Sequence, residues 1–278
     1  MTRHTSPRSP RVWFVTGAGR GFGRLFAEAA LSGGDRVVGT ARRPEALDDL
    51  SAEHEGRLVV LRLDVTDRAA VFAAVERAFG AFGRLDVVVN NAGYGLSGAV
   101  EEVTEAQARA ILDANFFGAL WVCQAVAPHL REQRSGHVVQ MSSVSGLVGI
   151  PTMGLYSASK FALEGMSDAL AGELEPFGVD VTLVEPRVYA TGFMGPSMEL
   201  AEFEEEYHPV RAALMERYGD VSPGDPARVA EAVLELVDSP EPPRRLLLGD
   251  GDYDAVIEAY RERMAEWGEW ELTSRAAG

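Results

Sequence analysis

Short apolar runs alternate with longer amphipathic stretches along most of the chain. The runs predict strands, because a strand that is buried on both faces is apolar at nearly every position. Seven such runs lie at 12–16, 36–40, 58–63, 85–89, 137–141, 179–184 and 245–248. Helical patterns lie at 21–32, 44–54, 67–82, 104–134, 155–177, 225–237 and 252–270. We expect the helix over 104–134 to be interrupted near Asn115.

This alternation of strands and helices predicts an α/β fold. Right-handed crossovers between parallel strands place helices on both faces of one sheet. We therefore expect a single doubly wound, Rossmann-type domain over 12–278, with a seven-stranded, mostly parallel sheet. The stretch 192–223 breaks the alternation and predicts a substrate lid. Residues 1–11 predict a flexible tail, and 252–270 predict a C-terminal helix.

Composition and charge exclude several classes of partner. The 278 residues carry a formal net charge of −16, which argues against nucleic acid or an anionic membrane as a partner. No apolar run approaches the roughly 20 residues that span a bilayer, and no signal peptide is expected. Cys123 is the single cysteine, so no intrachain disulfide can form and a cytoplasmic location is expected. No metal site is predicted.

A glycine-rich loop, 16–23 (TGAGRGFG), follows the first predicted strand and opens the first predicted helix. Glycines there let the backbone turn tightly and approach a pyrophosphate, which rests on the helix N-terminus. The loop has three residues between its first and second key glycines, unlike the G-x-G-x-x-G fingerprint. A glycine-rich turn without a ligand is the alternative. The candidate cofactor-binding residues are Gly17, Gly19, Arg20, Gly21, Phe22 and Gly23.

Two arginines indicate which dinucleotide the loop would bind. The second predicted strand ends without the acid that grips the ribose hydroxyls in NAD-binding sheets, and Arg42 follows it. Arg42 and Arg20 suit a 2′-phosphate and favour NADP(H), although both could be ordinary surface arginines. Asp64 and Val65, after the third strand, could contact the adenine edge. Alternatively, Asp64 could cap the next turn.

Tyr156 and Lys160 are four residues apart and therefore share one face of a predicted helix. A lysine cation about 4 Å away, at an effective dielectric of about 20, suffices to lower the pKa of a phenol by roughly 3 units. Such a phenol can exchange a proton with an alcohol or a carbonyl at neutral pH. Tyr-x-x-x-Lys also arises by chance in helices, so the rest of the chain decides its meaning.

Several motifs occur together in one order: the glycine-rich loop, Asp64, the segment 90–93 (NNAG), Asn115, Ser143, Tyr156 and Lys160. In this order and spacing the chain resembles the short-chain dehydrogenase/reductase family over residues 12 to about 192. The resemblance implies that Tyr156 protonates the developing alkoxide during reduction and that Ser143 hydrogen-bonds the substrate carbonyl. It implies that Lys160 binds the nicotinamide ribose and lowers the pKa of the phenol. Asn115 would hold a water that links Lys160 to solvent, or would simply cap a helix.

The resemblance implies further cofactor contacts. Asn91, Ala92 and Gly93 would lie beneath the adenosine ribose, although a plain strand-end turn is the alternative. Contacts near the nicotinamide would come from Pro186, Val188 and Thr191.

One residue departs from the family pattern. Arg187 follows Pro186 where the family usually has glycine. It either faces solvent or reaches the pocket and meets an acidic or carbonyl group of the substrate. The segment 181–249 resembles bacterial members related to steroid and retinoid dehydrogenases. Expected pocket walls, which could equally be core, are Val144, Leu147, Met153, Phe193, Met194 and Met198.

These features predict an NADPH-dependent oxidoreductase that interconverts a small apolar ketone or aldehyde and an alcohol. The same residues could serve imine reduction or a cofactor-assisted cyclisation or isomerisation. A non-catalytic NADP(H) sensor is a further alternative. By the resemblance, helices 104–134 and 155–177 would form a homodimer or homotetramer interface.

Overall fold

The computed structural model describes residues 9–218, 222–249 and 252–278. Residues 1–8 of the expected tail and 219–221 of the expected lid lie outside these ranges. Arg11, at the end of the expected tail, is held in place: its backbone N–H donates to Asp35 Oδ1 (2.9 Å), and its guanidinium pairs with Asp238 (2.6 Å).

A seven-stranded sheet forms the centre of the molecule. Among the residues that the structure describes, nine strands occur in chain order: β1 (Val12–Val15), β2 (Arg36–Ala41), β3 (Leu58–Arg62), β4 (Val87–Asn90), β5 (Gly95–Ser97), β6 (Gly136–Met141), β7 (Val179–Pro186), β8 (Met198–Leu200) and β9 (Arg245–Leu248). The sheet order is β3-β2-β1-β4-β6-β7-β9, and every neighbouring pair is parallel. The order reverses between β1 and β4, which makes that point the switch point of a doubly wound sheet. The predicted fold class is confirmed.

The described part of the chain contains ten α-helices: α1 (Gly21–Ser32), α2 (Asp48–Glu53), α3 (Arg68–Phe82), α4 (Glu105–Leu112), α5 (Gly118–Gln133), α6 (Gly154–Leu174), α7 (His208–Tyr218), α8 (Pro226–Asp238), α9 (Asp252–Glu269) and α10 (Glu271–Ala276). α1, α2 and α8 pack on one face, in a core that includes Phe26 and Val233. α3, α5 and α6 pack on the other face, in a core that includes Val75 and Val126. Both faces are therefore covered, which is why the strands are apolar throughout.

The long helical region contains the expected interruption. Between α4 and α5 a π-helical turn spans Asp113–Phe117 and contains the buried Asn115. In contrast to the expectation that no apolar run approaches a bilayer-spanning length, the continuous run Glu105–Gln133 is long and apolar enough to cross a membrane by length and composition alone. Within its apolar window, 44% is buried. Its buried residues pack against α3 in the core, which accounts for the apolar composition.

The stretch after β7 contains structure that the sequence pattern does not predict. β8 pairs with β5 in a separate two-stranded parallel sheet, and α7 follows it. Glu102 connects the segment that contains β8 and α7 to the loop before α4. Its carboxylate accepts hydrogen bonds from the Ala99 N–H (2.6 Å) and the Glu204 N–H (2.6 Å), and it forms an ion pair with Arg211. The arginine holds the pKa of the Glu102 carboxyl down, to about 2.

Candidate active site

The loop between β1 and α1 has the backbone of a phosphate-binding turn. Gly17 and Gly21 have φ values of +67° and +56°, in the left-handed region that favours glycine. A Cβ on Gly23 would lie 2.4 Å from Asn91 Nδ2 and 2.5 Å from the Gly17 carbonyl oxygen, so no larger residue fits there. α1 begins at this loop without a side-chain cap or an acidic residue in its first turn. Its first amide groups are thus available to an anion, and the loop fits a pyrophosphate.

Thr16 joins the loop to the strand across the switch point. Its Oγ1 accepts hydrogen bonds from the N–H groups of Asn91 (2.9 Å) and Ala92 (3.0 Å) and donates to the Val89 carbonyl (3.2 Å). The Asn91 amide donates back to the Thr16 carbonyl at 2.9 Å. Thr16 was not among the predicted site residues, although its place at the start of the loop was a usable signal. It fixes the predicted segment that contains Asn91, Ala92 and Gly93 under the loop.

The predicted nucleotide contacts, except Gly23, line one cavity of about 1670 Å³. Gly23 is instead packed against Asn91 and the Gly17 backbone. Arg20, Arg42 and the adjacent Arg43 are exposed at the edge of the cavity, and no acid ends β2. Asp64 lines the cavity with Val65, yet Asp64 Oδ1 also accepts from the N–H (3.0 Å) and the hydroxyl (2.8 Å) of Thr66. The alternative role of Asp64, as a cap of the next turn, is therefore present in a residue that also lines the cavity.

Ser143, Tyr156 and Lys160 converge on the wall of the same cavity. Ser143 follows β6, whereas the other two residues lie in the first two turns of α6. All three are buried, with exposed fractions of 6%, 5% and 7%. Lys160 Nζ donates to the Met141 carbonyl at 2.7 Å and lies 5.8 Å from the centre of the Tyr156 ring. Ser143, Tyr156 and Lys160, which the sequence spacing grouped together, therefore form one cluster in space.

Electrostatics at the cluster differ from the sequence-based expectation. Burial raises the pKa of Tyr156 to about 12, and the neighbouring Ser143 hydroxyl only partly opposes this. Burial also lowers the pKa of Lys160 to about 8. The expectation of a phenol brought near neutrality by a lysine about 4 Å away is thus wrong for this structure. The lysine is directed at a backbone carbonyl, and desolvation is the larger effect.

Asn115 supports the site from behind its wall. Its side chain accepts from the Tyr94 N–H (3.0 Å) and donates to the Tyr94 carbonyl (2.9 Å). It also donates to Ser159 Oγ at 3.1 Å, and Ser159 donates to the Tyr156 carbonyl at 2.7 Å. Asn115 does not line the cavity. Its implied role in holding a water stays a prediction.

The expected substrate end of the cavity is largely apolar. Of the predicted walls, Val144, Met153, Arg187, Phe193, Met194 and Met198 line the cavity, as do the predicted nicotinamide contacts Pro186, Val188 and Thr191. The prediction for Leu147 is wrong: it follows the 3-10 turn Val144–Gly146, is buried, and is not a lining residue. Further walls that the sequence did not indicate come from the lid, α7 and α9: Phe203, Arg211, Leu214, Met215, Val256 and Ala259. Within the described ranges, no group of three or more His, Cys, Asp or Glu residues could hold a metal ion.

A phosphate-binding loop at the switch point of the sheet, next to a serine, a tyrosine and a lysine, defines a dinucleotide-binding oxidoreductase fold and site. The family described as short chain dehydrogenase matches residues 11–200. Oxidoreductase BOA17 of Botryotinia fuckeliana is 38% identical, over 96% of this chain and 99% of the relative. A 3-ketodihydrosphingosine reductase of Bacteroides thetaiotaomicron is 37% identical, over 86% and 88%. Retinol dehydrogenase 8 of Bos taurus is 34% identical, over 85% and 81%. The chain belongs to the short-chain dehydrogenase/reductase family of oxidoreductases.

Solved structures agree with this assignment. A short-chain dehydrogenase from Streptomyces avermitilis superposes with a TM-score of 0.90 at 39% identity, covering 98% of this chain and 99% of that one. A family member from Burkholderia phymatum in complex with NAD has a TM-score of 0.79 at 27% identity, over 96% and 97%. The closed form of a serine dehydrogenase complexed with NADP+ has a TM-score of 0.74 at 26% identity, over 85% and 94%. Structures similar to this chain thus hold either nicotinamide dinucleotide.

Proposed function

We propose that the protein is an NADP(H)-dependent oxidoreductase that interconverts an apolar ketone or aldehyde and the corresponding alcohol. The observation that carries this proposal is the position of Ser143, Tyr156 and Lys160 on the wall of the cavity that also contains the phosphate-binding loop. A proton donor and a cofactor site open into one space, as hydride transfer to a carbonyl requires.

The glycine-rich loop would hold the pyrophosphate of the cofactor, and Arg20 and Arg42 would hold the 2′-phosphate. Pro186, Val188 and Thr191 would contact the nicotinamide end. When bound, the nicotinamide supplies the hydride. NADP(H) rather than NAD(H) is supported by the arginines at the cavity edge and by the absence of an acid at the end of β2.

Tyr156 would give its hydroxyl proton to the carbonyl oxygen during reduction. Because burial raises its pKa to about 12, the phenol carries that proton throughout the neutral range. The Ser143 hydroxyl would hydrogen-bond the same carbonyl oxygen. The Lys160 cation would stabilise the phenolate that remains after proton transfer. This arrangement supports the reductive direction at neutral pH.

An apolar substrate is supported by the methionine- and phenylalanine-rich lining contributed by the lid. The relatives named 3-ketodihydrosphingosine reductase and retinol dehydrogenase support chemistry between a carbonyl and an alcohol. A homodimer or homotetramer built on α4, α5 and α6, and a cytoplasmic location, stay predictions.

The direct test is turnover of NADPH by purified protein with a panel of aliphatic, cyclic and aromatic ketones and aldehydes, followed at the nicotinamide absorbance. Tyr156→Phe should lower kcat by about 100-fold or more, because the proton donor is lost, while NADPH binding measured by thermal shift is kept. Tyr253→Phe, at a tyrosine that is 60% exposed on α9, is the matched control.

Three outcomes would overturn the proposal. Full turnover by Tyr156→Phe would remove the assigned proton donor. Product formed without NADPH consumption would indicate cyclisation or isomerisation. NADPH binding without oxidation across the whole panel would indicate a sensor.

A further inference from the structure

A buried group of charged side chains lies behind the catalytic residues, between α6 and the sheet. Glu164 of α6 and Glu185 at the end of β7 have side chains that are only 7% and 2% exposed. Arg245 of β9 reaches both, with Nε 3.1 Å from Glu164 Oε2 and 3.4 Å from Glu185 Oε1. Its Nη2 pairs with Asp168, at 2.6 Å from Oδ2, on the outer, half-exposed side. A buried carboxylate needs such partners, and Arg245 supplies them from β9.

Glu164 connects this group to the catalytic cluster. It follows Lys160 by one helical turn, so the two side chains share a face of α6. A Cβ on Gly146 would lie 2.8 Å from Ser142 Oγ and 3.0 Å from Glu164 Cγ, so the glutamate also reaches the residue before Ser143. The Ser142 hydroxyl beside Glu164 helps to lower the pKa of its carboxyl. Lys160 is the cation on the same helix face, and the charge of Glu164 raises the pKa of its ammonium.

The charges of this group balance when Glu164 is ionised. Burial raises the pKa of its carboxyl, whereas Ser142 and Arg245 act in the opposite direction. Burial and the neighbouring Glu164 raise the pKa of Glu185 to about 8, so Glu185 is protonated at pH 7. The carboxylates of Glu164 and Asp168 then face two cations, Arg245 and Lys160. A neutral Glu164 would leave the buried lysine without a carboxylate beside it. Burial opposes the charge on Lys160, and Glu164 acts in the other direction.

We propose that Glu164 is a positioning residue for the reaction: its buried carboxylate, anchored by Arg245, is the counter-charge that keeps Lys160 cationic and aligned behind Tyr156. The inference rests on the proposed function for the role of Lys160 in proton transfer. Glu164 itself would not touch the substrate or the cofactor, because it does not line the cavity.

The composition of the chain allows a direct measurement, because Lys160 is the only lysine among the 278 residues. Protein labelled with ¹³C-lysine should therefore give one side-chain ¹³Cε resonance, whose titration reports the charge of Lys160 without substrate or turnover. In Glu164→Gln we expect the titration midpoint to fall by about 1 pH unit or more relative to wild type, because an opposite charge close by is lost. The upper pH limit of kcat for carbonyl reduction should move down by a similar amount.

Asp168→Asn is the matched control, since Asp168 pairs with the same arginine but lies 47% exposed and a further turn from the lysine. Its midpoint should stay within about 0.3 pH unit of wild type. Glu164→Asp keeps the negative charge but moves it away from Lys160, so it should lower the titration midpoint by a smaller amount. This variant keeps the proposal testable if Glu164→Gln does not fold.

An unchanged titration midpoint in whichever folded Glu164 variant is obtained would overturn the proposal. So would a shifted midpoint with an unshifted kcat profile. Full turnover by Tyr156→Phe would instead count against the proposed function alone.

Discussion

At the scale of single residues, the proposed preference for NADP(H) rests on two arginines that line the cavity. Arg42 follows β2 directly, and Arg20 lies in the glycine-rich loop. Arginine forms strong bidentate contacts with phosphate, and NADP differs from NAD by one phosphate. The geometry therefore favours the phosphorylated dinucleotide through charge.

Arg42→Ala should raise KM for NADPH by roughly 10- to 100-fold and leave KM for NADH nearly unchanged, because a charged hydrogen bond of about 1.5–3 kcal/mol is lost only for NADPH. Initial rates with each dinucleotide check this, supported by thermal shifts. Arg62→Ala is the matched control, at an exposed arginine that ends β3 and does not line the cavity. Equal losses with both dinucleotides, or a wild-type preference for NADH, would contradict this assignment.

Residue identities at the catalytic cluster could be predicted from the sequence, but their electrostatics could not. Helical spacing places Tyr156 and Lys160 on one face, and the structure confirms that they are neighbours. Spacing does not show that the ammonium is bonded to the Met141 carbonyl, nor that both groups are buried. Those facts depend on how β6 meets α6, which is a tertiary property. The role proposed for Glu164 could not be predicted for the same reason, because its partner Arg245 lies 81 residues further along the chain.

At the scale of elements, the π-helical turn between α4 and α5 is held by one side chain. Asn115 satisfies both the N–H and the carbonyl of Tyr94 while it is only 2% exposed. A π-turn places its side chains differently from an α-helix, and here it directs an amide at the neighbouring loop. The turn therefore couples a helix to the loop that lines the cavity.

Asn115→Ala should lower the free energy of unfolding by about 1–3 kcal/mol, because two partly buried backbone groups of Tyr94 lose their partner. Urea denaturation followed by circular dichroism measures this. Asp113→Ala, at an exposed residue of the same turn, should change stability by less than about 0.5 kcal/mol. Similar losses in both variants would mean that the turn itself, rather than the amide, provides the stability.

The main strands and helices were predictable because each carries its own periodicity, as in β6 and α8. The β5–β8 sheet was not, because each strand has three residues and its partner lies about a hundred positions away. α10 was also missed, since its exposed residues show no apolar face. The predicted helix over 44–54 divides into a 3-10 turn, Pro44–Leu47, and α2. Short elements are set by tertiary contacts and leave little local pattern.

At the scale of the whole molecule, the C-terminal third of the chain contributes much of the cavity wall. α7 and α9 line the cavity that Ser143, after β6, and Tyr156 and Lys160, on α6, also line. The buried Glu102 carboxylate, through its ion pair with Arg211, joins α7 to the loop before α4. Under the proposed function, substrate selection and catalysis would therefore reside on different parts of one fold.

Two buried groups give the folded protein a characteristic dependence of stability on pH. Burial raises the pKa of Glu185 from an unfolded value of 4.5 to about 8, so the folded state binds an extra proton and stability falls as pH rises between these values. Burial lowers the pKa of His137 from 6.5 to about 4, so stability rises with pH over that range. The two effects oppose one another up to about pH 6.5. Above that pH the Glu185 effect is no longer opposed by His137.

Wild-type protein should therefore lose about 1–2 kcal/mol of unfolding free energy between pH 6.5 and pH 8 through Glu185. Glu185→Gln should flatten this decline, because glutamine keeps the shape of the protonated acid and cannot ionise. Thermal melting at both pH values measures the effect: the Tm of Glu185→Gln minus that of wild type should be more positive at pH 8 than at pH 6.5. Glu173→Gln, on the exposed face of α6, should show no such trend. If the Tm difference for Glu185→Gln is the same at both pH values, Glu185 is already ionised in the folded protein. The carboxylates of Glu164, Asp168 and Glu185 would then outnumber the two cations Arg245 and Lys160.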